Sequence, residues 1–230
     1  MTNSEQIKEF ILSKGATKCG IAPISRFDDA PDGFKPTDIY TKAKSVIVYL
    51  MKMPDEAVNS TNPVPYTHTA YMLYDMLDKL SLSICQYFEA VGHHAVLIPA
   101  DTPYIYWDED KRHGQGILSL RHAAFNAGLG ILGRNTLLLT PDFGNMVYIG
   151  AVLTDLELNP DPMMEGFGCP PKCTVCLDSC PQGALDGTTV SQKICREVSF
   201  YQNARGFDIY DCNECRKKCV LRTGSDSGIS

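Results

Sequence analysis

Residues 169–181 read Cys-Pro-Pro-Lys-Cys-Thr-Val-Cys-Leu-Asp-Ser-Cys-Pro, and residues 212–219 read Cys-Asn-Glu-Cys-Arg-Lys-Lys-Cys. With Cys195 between the blocks, eight of the ten cysteines fall in the last third of the chain. The spacing belongs to iron–sulfur chemistry. A close trio, Cys169, Cys173 and Cys176, lets thiolates reach three irons of one cubane from a short loop, while Cys180, the cysteine before a proline, turns toward a second cluster. Two [4Fe–4S] clusters require eight thiolates, and eight are present. The first gap holds three residues, Pro170 and Pro171 among them, where the bacterial ferredoxin motif has two. That departure leaves the ligand count unchanged.

Two other uses of cysteine compete with this reading. Disulfides need an oxidising compartment, but Met1-Thr2-Asn3-Ser4-Glu5 has neither the basic start nor the apolar core of a secretory signal, so a cytoplasmic protein is expected. Zinc is the stronger rival because it also takes four cysteines. Its structural sites more often use separated C-x2-C pairs than four cysteines within 12 residues ending in Cys-Pro.

An apolar content of 44% is ample for a packed core, and no apolar run approaches the ~20 residues of a membrane span. The net charge of −6 arises in residues 1–164, with 13 basic against 19 acidic side chains, whereas residues 165–230 hold eight of each. Neither part carries the dense basic footprint of phosphate-dominated binding, so nucleic acid is not an expected partner.

Up to about residue 156, helical and strand signals alternate. Ser4 can cap a helix whose Ile7, Phe10 and Ile11 share a face, with Gly15 ending it. Cys19 to Ala22 reads as a short buried strand, and Ser45 to Met51 as a central one. Tyr71, Tyr74, Leu77, Ser81, Ile84, Cys85 and Phe88 recur at helical spacing up to Gly92. The strand Ala95 to Ile98 delivers Asp101-Thr102-Pro103, and Tyr104 to Gly116 reads as a surface loop or lid. A helix over Leu118 to Ala127 stops at Gly128-Leu129-Gly130. Residues 136–140 and 146–153 flank Pro141-Asp142-Phe143-Gly144-Asn145, the pattern of a hairpin. Asn159-Pro160-Asp161-Pro162 is the natural linker. Cys19 and Cys85 lie in apolar surroundings as small buried hydrophobes. His93, His94, His113 and His122 have ordinary surface or helix-end readings, although His113 or His122 could ligate cobalt.

The stretch Ala127-Gly128-Leu129-Gly130-Ile131-Leu132-Gly133-Arg134-Asn135-Thr136-Leu137-Leu138-Leu139, followed by Thr140-Pro141-Asp142-Phe143-Gly144 and Leu153-Thr154-Asp155-Leu156, resembles the core signature of the epoxyqueuosine reductase and reductive dehalogenase superfamily. Ile21-Ala22-Pro23, Lys44 to Val48 and Ala100-Asp101-Thr102 are similar to the epoxyqueuosine reductases at corresponding points. The resemblance spans nearly the whole chain in family order and ends in the two-cluster cysteine pattern.

That resemblance implies an α+β fold: a nitroreductase-like cobalamin-binding domain over residues 1–160, then a ferredoxin-like domain over 161–230 with two [4Fe–4S] clusters. It implies electrons from an external low-potential donor such as ferredoxin or flavodoxin, passed through the clusters to a base-off cobalamin whose Co(I) state reduces a small-molecule substrate. By the family pattern Cys169, Cys173, Cys176 and Cys219 hold one cluster, and Cys180, Cys195, Cys212 and Cys215 the other. Asp101 falls on the family's proton-donating carboxylate, and Gly130, Gly133, Arg134, Asn135 and Thr154 on its corrinoid contacts. The chain also departs from both branches. Tyr104 to Gly116 is an insertion, Arg134 replaces the lysine usual in epoxyqueuosine reductases, and Ala151 stands where these often have glutamate. It ends at Ser230 without their helical-repeat region, and it lacks the twin-arginine signal usual in dehalogenases. The function expected is a corrinoid-linked iron–sulfur oxidoreductase. Transfer-RNA epoxyqueuosine reduction and a non-enzymatic electron carrier or activator for a corrinoid protein are the alternatives.

Overall fold

A computed structural model describes residues 3–225; Met1, Thr2 and the last five residues of the expected cluster segment lie outside them. The first part runs α1 (Ser4–Ser13), β1 (Lys18–Pro23), α2 (Pro36–Ile39), β2 (Ser45–Lys52), α3 (Pro63–Ala90), β3 (Ala95–Ile98), β4 (Tyr106–Asp108), β5 (His113–Gln115), α4 (Leu120–Asn126), β6 (Ile131–Leu132), β7 (Leu138–Leu139) and β8 (Val147–Thr154). The cysteine segment adds α5 (Val175–Asp178), α6 (Gln192–Ser199), β9 (Phe200–Gln202), β10 (Asp208–Tyr210) and α7 (Glu214–Lys217).

The scaffold is a four-stranded antiparallel sheet of order β1-β2-β8-β3. Because successive strand residues face opposite sides, β2 serves two cores. Ile47, Tyr49 and Met51 join Ile7 and Ile11 of α1 and Leu77, Ile84 and Phe88 of α3 on one side. Val46, Val48 and Leu50 join Ala123, Ala124 and Ala127 on and just after α4 on the other. Helices cover both faces, which explains why Ser45 to Met51 is buried at every position. The long helix extends further than its periodicity indicates. It starts at Pro63 behind the cap Asn62, whose side chain accepts from the Val64 N–H at 2.9 Å.

Two local expectations are corrected. Asn3, not Ser4, caps α1: its side chain accepts from the Gln6 N–H while the Gln6 side chain accepts from the Asn3 N–H. Ser4 lies inside the helix and accepts from the Asn159 N–H at 2.8 Å, fixing the linker instead. The hairpin expected from 136–140 and 146–153 does not form either. Leu138 and Leu139 pair with Ile131 and Leu132, whereas Val147–Thr154 inserts between β2 and β3 as a central strand. The cause is the near-complete burial of β8, whose apolar run gains more between two strands than beside one.

The cysteine segment packs on the first part at several points. Gly144, at φ +53°, sits so close to the backbone of Leu221 and Arg222 that any side chain would collide with it. Tyr210 donates its N–H to Thr67 Oγ1 at 2.9 Å, and the hydroxyl of Tyr71 donates to the Asp208 carbonyl at 3.1 Å, tying β10 to the front half of α3. Replacing the fully buried Ile47 by Ala is expected to destabilise the fold by about 2–5 kcal/mol, through lost burial and the cavity left in the sheet centre. Chemical denaturation of the two proteins checks this, with the midpoint moving at unchanged slope.

Candidate metal centre and adjoining cleft

The β6–β7 hairpin tip touches both cysteine blocks. Gly133 N–H donates to the Leu137 carbonyl at 2.9 Å and Thr136 turns through φ +63°, so Arg134 and Asn135 project beyond the strands. Arg134 Nη1 donates to the Cys173 carbonyl at 2.8 Å, and Asn135 Nδ2 to the Cys215 carbonyl at 3.1 Å. One tight turn therefore holds one residue from each cysteine block.

The cysteines separate into two groups. Cys169, Cys173, Cys176 and Cys219 border a small cavity of about 10 Å³ that Arg134 and Pro170 also line. Burial pushes the Cys219 thiol up to about 11, and Cys169, Cys176 and Cys173 push in the same direction. Burial also raises Cys176, with Cys169 and Cys173 as neighbours. The remaining four gather elsewhere. Burial takes Cys215 up to about 11, aided by Cys195, Cys212 and Cys180. Cys212 is raised by burial and by Cys195 and Cys180. The Ala184 N–H donates to Cys180 Sγ at 3.2 Å.

Four irons and four sulfides occupy a volume, so their ligands stand around a space rather than a point. The first group fits that requirement, bordering a cavity from two separate blocks of the chain. Among the described residues no three His, Cys, Asp or Glu side chains converge as a single ion requires.

Asp101 lies just past β3 with its surface exposed and its carboxyl free of any hydrogen bond or ion pair with the described residues. It caps nothing. Desolvation raises its pKa, Arg196 lowers it and Asp78 raises it. Tyr71, Tyr74 and Tyr210 all feel its charge. Its electrostatic neighbours thus come from α3, β10 and α6.

The insertion expected as a loop is a small β4–β5 hairpin. Gln192 of α6 grips it twice, accepting from the Gly114 N–H at 3.1 Å and donating to the Gly114 carbonyl at 3.0 Å. The Arg196 guanidinium lies 5.1 Å from the Trp107 ring centre and 5.4 Å from that of Phe200. An open groove of about 450 Å³ runs along the hairpin between Ile105, Trp107, Lys111 and Gln115.

The other expected cofactor contacts turn inward. Gly130 and Gly133 pack against Leu139 without room for a side chain. Asn135 is buried, with Oδ1 accepting from the Leu137 N–H at 3.2 Å. Thr154 is fully buried, donating to the His94 carbonyl at 2.9 Å and accepting from the Leu156 N–H at 3.1 Å. These residues do not present polar atoms to a common ligand surface, so the structure offers no independent fit for a corrinoid at them. His122 bonds Ser119 Oγ through Nδ1 at 2.7 Å, and burial lowers its pKa. His94 pairs with Asp155 at 2.9 Å.

Gln192, Arg196 and Arg216 were not singled out from the sequence. The available signal was positional: Arg196 follows Cys195 and Arg216 follows Cys215.

No protein-family model matches the chain. Among curated proteins it is similar to the epoxyqueuosine reductase of Bacillus anthracis, 35% identical over 124 residues, covering 48% of this chain and 31% of that protein. It is also similar to the tetrachloroethene reductive dehalogenase of Dehalobacter restrictus, 33% identical over 156 residues, covering 66% of this chain and 24% of that one. The matches span less than a third of these relatives' length. Among solved structures, an epoxyqueuosine reductase with a transfer-RNA stem loop matches at a TM-score of 0.64 and 21% identity, over 95% of this chain and 64% of that one. A catabolic reductive dehalogenase in complex with 3-bromo-4-hydroxybenzoic acid matches at 0.61 and 18%, over 94% and 28%. A third, a dehalogenase described as B12-dependent, matches at 0.60 and 16%, over 94% and 29%. The fold is the mixed α/β one of these two families. The chain belongs to the superfamily that joins epoxyqueuosine reductases and reductive dehalogenases.

Gln192→Ala removes both grips on Gly114 and is expected to raise amide exchange across residues 104–116 at least several-fold while the central sheet is unchanged. Exchange mass spectrometry reads both regions in one experiment.

Proposed function

We propose that the protein is an iron–sulfur reductase that delivers electrons and a proton to a small molecule in the cleft before Asp101. The observation that carries this reading is the pair of cysteine quartets, in a chain whose Asp101 carboxyl is unpaired among the described residues and partly desolvated. In this reading residues 1–160 form the cleft-bearing domain and 161–230 a ferredoxin-like domain. Cys169, Cys173, Cys176 and Cys219 would hold one [4Fe–4S] cluster, and Cys180, Cys195, Cys212 and Cys215 the second, each supplying one-electron storage. The donor is a low-potential carrier such as ferredoxin or flavodoxin.

Asp101 is the proton source: its carboxyl releases a proton to the reduced substrate atom and is recharged from solvent through the open cleft. Desolvation keeps it protonated to higher pH than an ordinary aspartate. The β4–β5 hairpin limits water above the site. Cobalamin is proposed from the B12-dependent relative alone, where it would supply a reducing metal centre at the substrate. No role follows from it for Gly130, Gly133, Asn135 or Thr154, whose contacts are internal.

Transfer RNA is the second reading, supported by the neighbour solved with a stem loop and opposed by the balanced charge of residues 165–230. A pure electron carrier is disfavoured because it has no use for a free acid beneath a clamped hairpin.

Anaerobically purified protein is expected to contain about eight irons and eight sulfides per chain. Elemental and sulfide analysis decides, and stoichiometric zinc in their place would overturn the reading. Asp101→Asn should leave iron content intact and lower single-turnover reduction by roughly 10²- to 10⁴-fold. The assay offers pre-reduced protein the epoxyqueuosine stem loop and, separately, the brominated hydroxybenzoate. The acid works below its folded pKa, so the unaltered rate falls as pH rises through a value above the usual carboxylate range. The Asn variant should lack that limb; an identical pH profile would remove Asp101 from the mechanism.

A further inference from the structure

Asp78 stands on α3 between the buried Leu77 and Leu80, so the core fixes the backbone that carries its side chain. Its Oδ1 accepts from the Ala100 N–H at 2.9 Å. β3 makes its last ladder pair at Ile98, opposite Ala151, and Pro99 has no N–H to give. Ala100 is therefore the first backbone donor past the sheet, and a helix side chain receives it. Among the described residues no other hydrogen bond reaches residues 99–103. A single contact thus governs how the chain enters Asp101. Among the described residues no cation pairs with Asp78, and the adjacent Lys79 is taken by Asp75 at 2.5 Å.

We propose that Asp78 is the positioning residue of Asp101: it fixes the peptide leading into the acid and sets a like charge near the carboxyl. The inference rests on the reading of Asp101 as the proton source. Asp101 is faced from α3 by Asp78, Tyr71 and Tyr74, from β10 by Tyr210 and from α6 by Arg196. The tyrosines stay neutral over the range in which a carboxyl titrates, which leaves Asp78 and Arg196 as opposed charges. Desolvation raises the Asp101 pKa, Arg196 lowers it and Asp78 adds to the rise. A like charge nearby disfavours the ionised form, so the proton stays on to higher pH. The hydrogen bond acts separately, by holding in one place an acid that the sheet no longer restrains, and proton transfer depends on such placement. An amide at position 78 would keep the acceptor oxygen and lose the charge. A methyl group would lose both.

The test compares Asp78→Asn with Asp78→Ala through three measurements on the purified protein. Carbon-13 titration of carboxyl-labelled aspartate follows Asp101 directly, its signal assigned by loss in Asp101→Asn. Amide exchange follows Ala100, and single-turnover reduction by pre-reduced protein is followed across pH. Both variants should move the Asp101 midpoint, and with it the falling limb of the rate, to lower pH. Only Asp78→Ala should speed exchange at Ala100, at least several-fold, and its low-pH rate should lie roughly 10- to 100-fold below that of Asp78→Asn. An Asp101 midpoint that stays in place or rises in Asp78→Asn would overturn the proposal, as would equal exchange at Ala100 or equal low-pH rates in the two variants. Should Asp78→Ala fail to fold, the midpoint in Asp78→Asn decides alone. Unaltered turnover in Asp101→Asn would defeat the acid reading instead, and the carboxyl titration reads the coupling of Asp78 to Asp101 in either case.

Discussion

The contact on which the molecule depends is the pair of hydrogen bonds from the β6–β7 turn, Arg134 to the Cys173 carbonyl and Asn135 to the Cys215 carbonyl. A segment with so many cysteines and such short helices buries little apolar surface of its own, and its order must come from elsewhere. The turn supplies fixed points inside both cysteine blocks. Its rigidity in turn comes from the close packing of Gly130 and Gly133 on Leu139 and from the fully buried Leu139 behind them. The glycines that mark the sequence signature therefore work at one remove, by letting strands approach so that two polar side chains can reach across.

The same logic governs the cleft. β3 ends where Asp101 leaves the sheet, α3 presents Tyr71 and Tyr74, and β10 brings Tyr210 alongside. Nothing neutralises the carboxyl directly, because its nearest cation, Arg196, is held off by Gln192, Trp107 and Phe200. Moving Arg196 into a salt bridge would stabilise the charged acid and depress its pKa, against the desolvation that raises it. Holding the guanidinium by aromatic faces keeps a positive field nearby without that consequence.

The sequence made the cysteine grouping legible because ligand spacing is a local property of a short loop, and a Cys-Pro after a close trio suits few metal centres besides a pair of iron–sulfur clusters. Asp101 was legible as a strand-end acid. The hairpin over 136–153 was misread for a definite reason. Two β-rich runs around Pro141 and Gly144 satisfy the local hairpin pattern, but pairing is decided by which strands can bury Val147–Thr154 on both sides. The contrary signal lay in the unbroken apolar character of Val147 to Leu153, typical of a central strand.

Arg216 shows why the remainder could not be read at all. In sequence it belongs to Arg-Lys-Lys, a run whose default reading is a solvated face. Folding separates the three: Lys218 is exposed, while the Arg216 guanidinium is drawn among tyrosines from α3 and β8. Those tyrosines lie roughly 70 to 150 residues before it, so no window of sequence contains the environment that sets its chemistry. The cost of desolvating a guanidinium without a carboxylate partner is several kcal/mol before compensation, and the ring face and the Asn145 carbonyl offset only part of it.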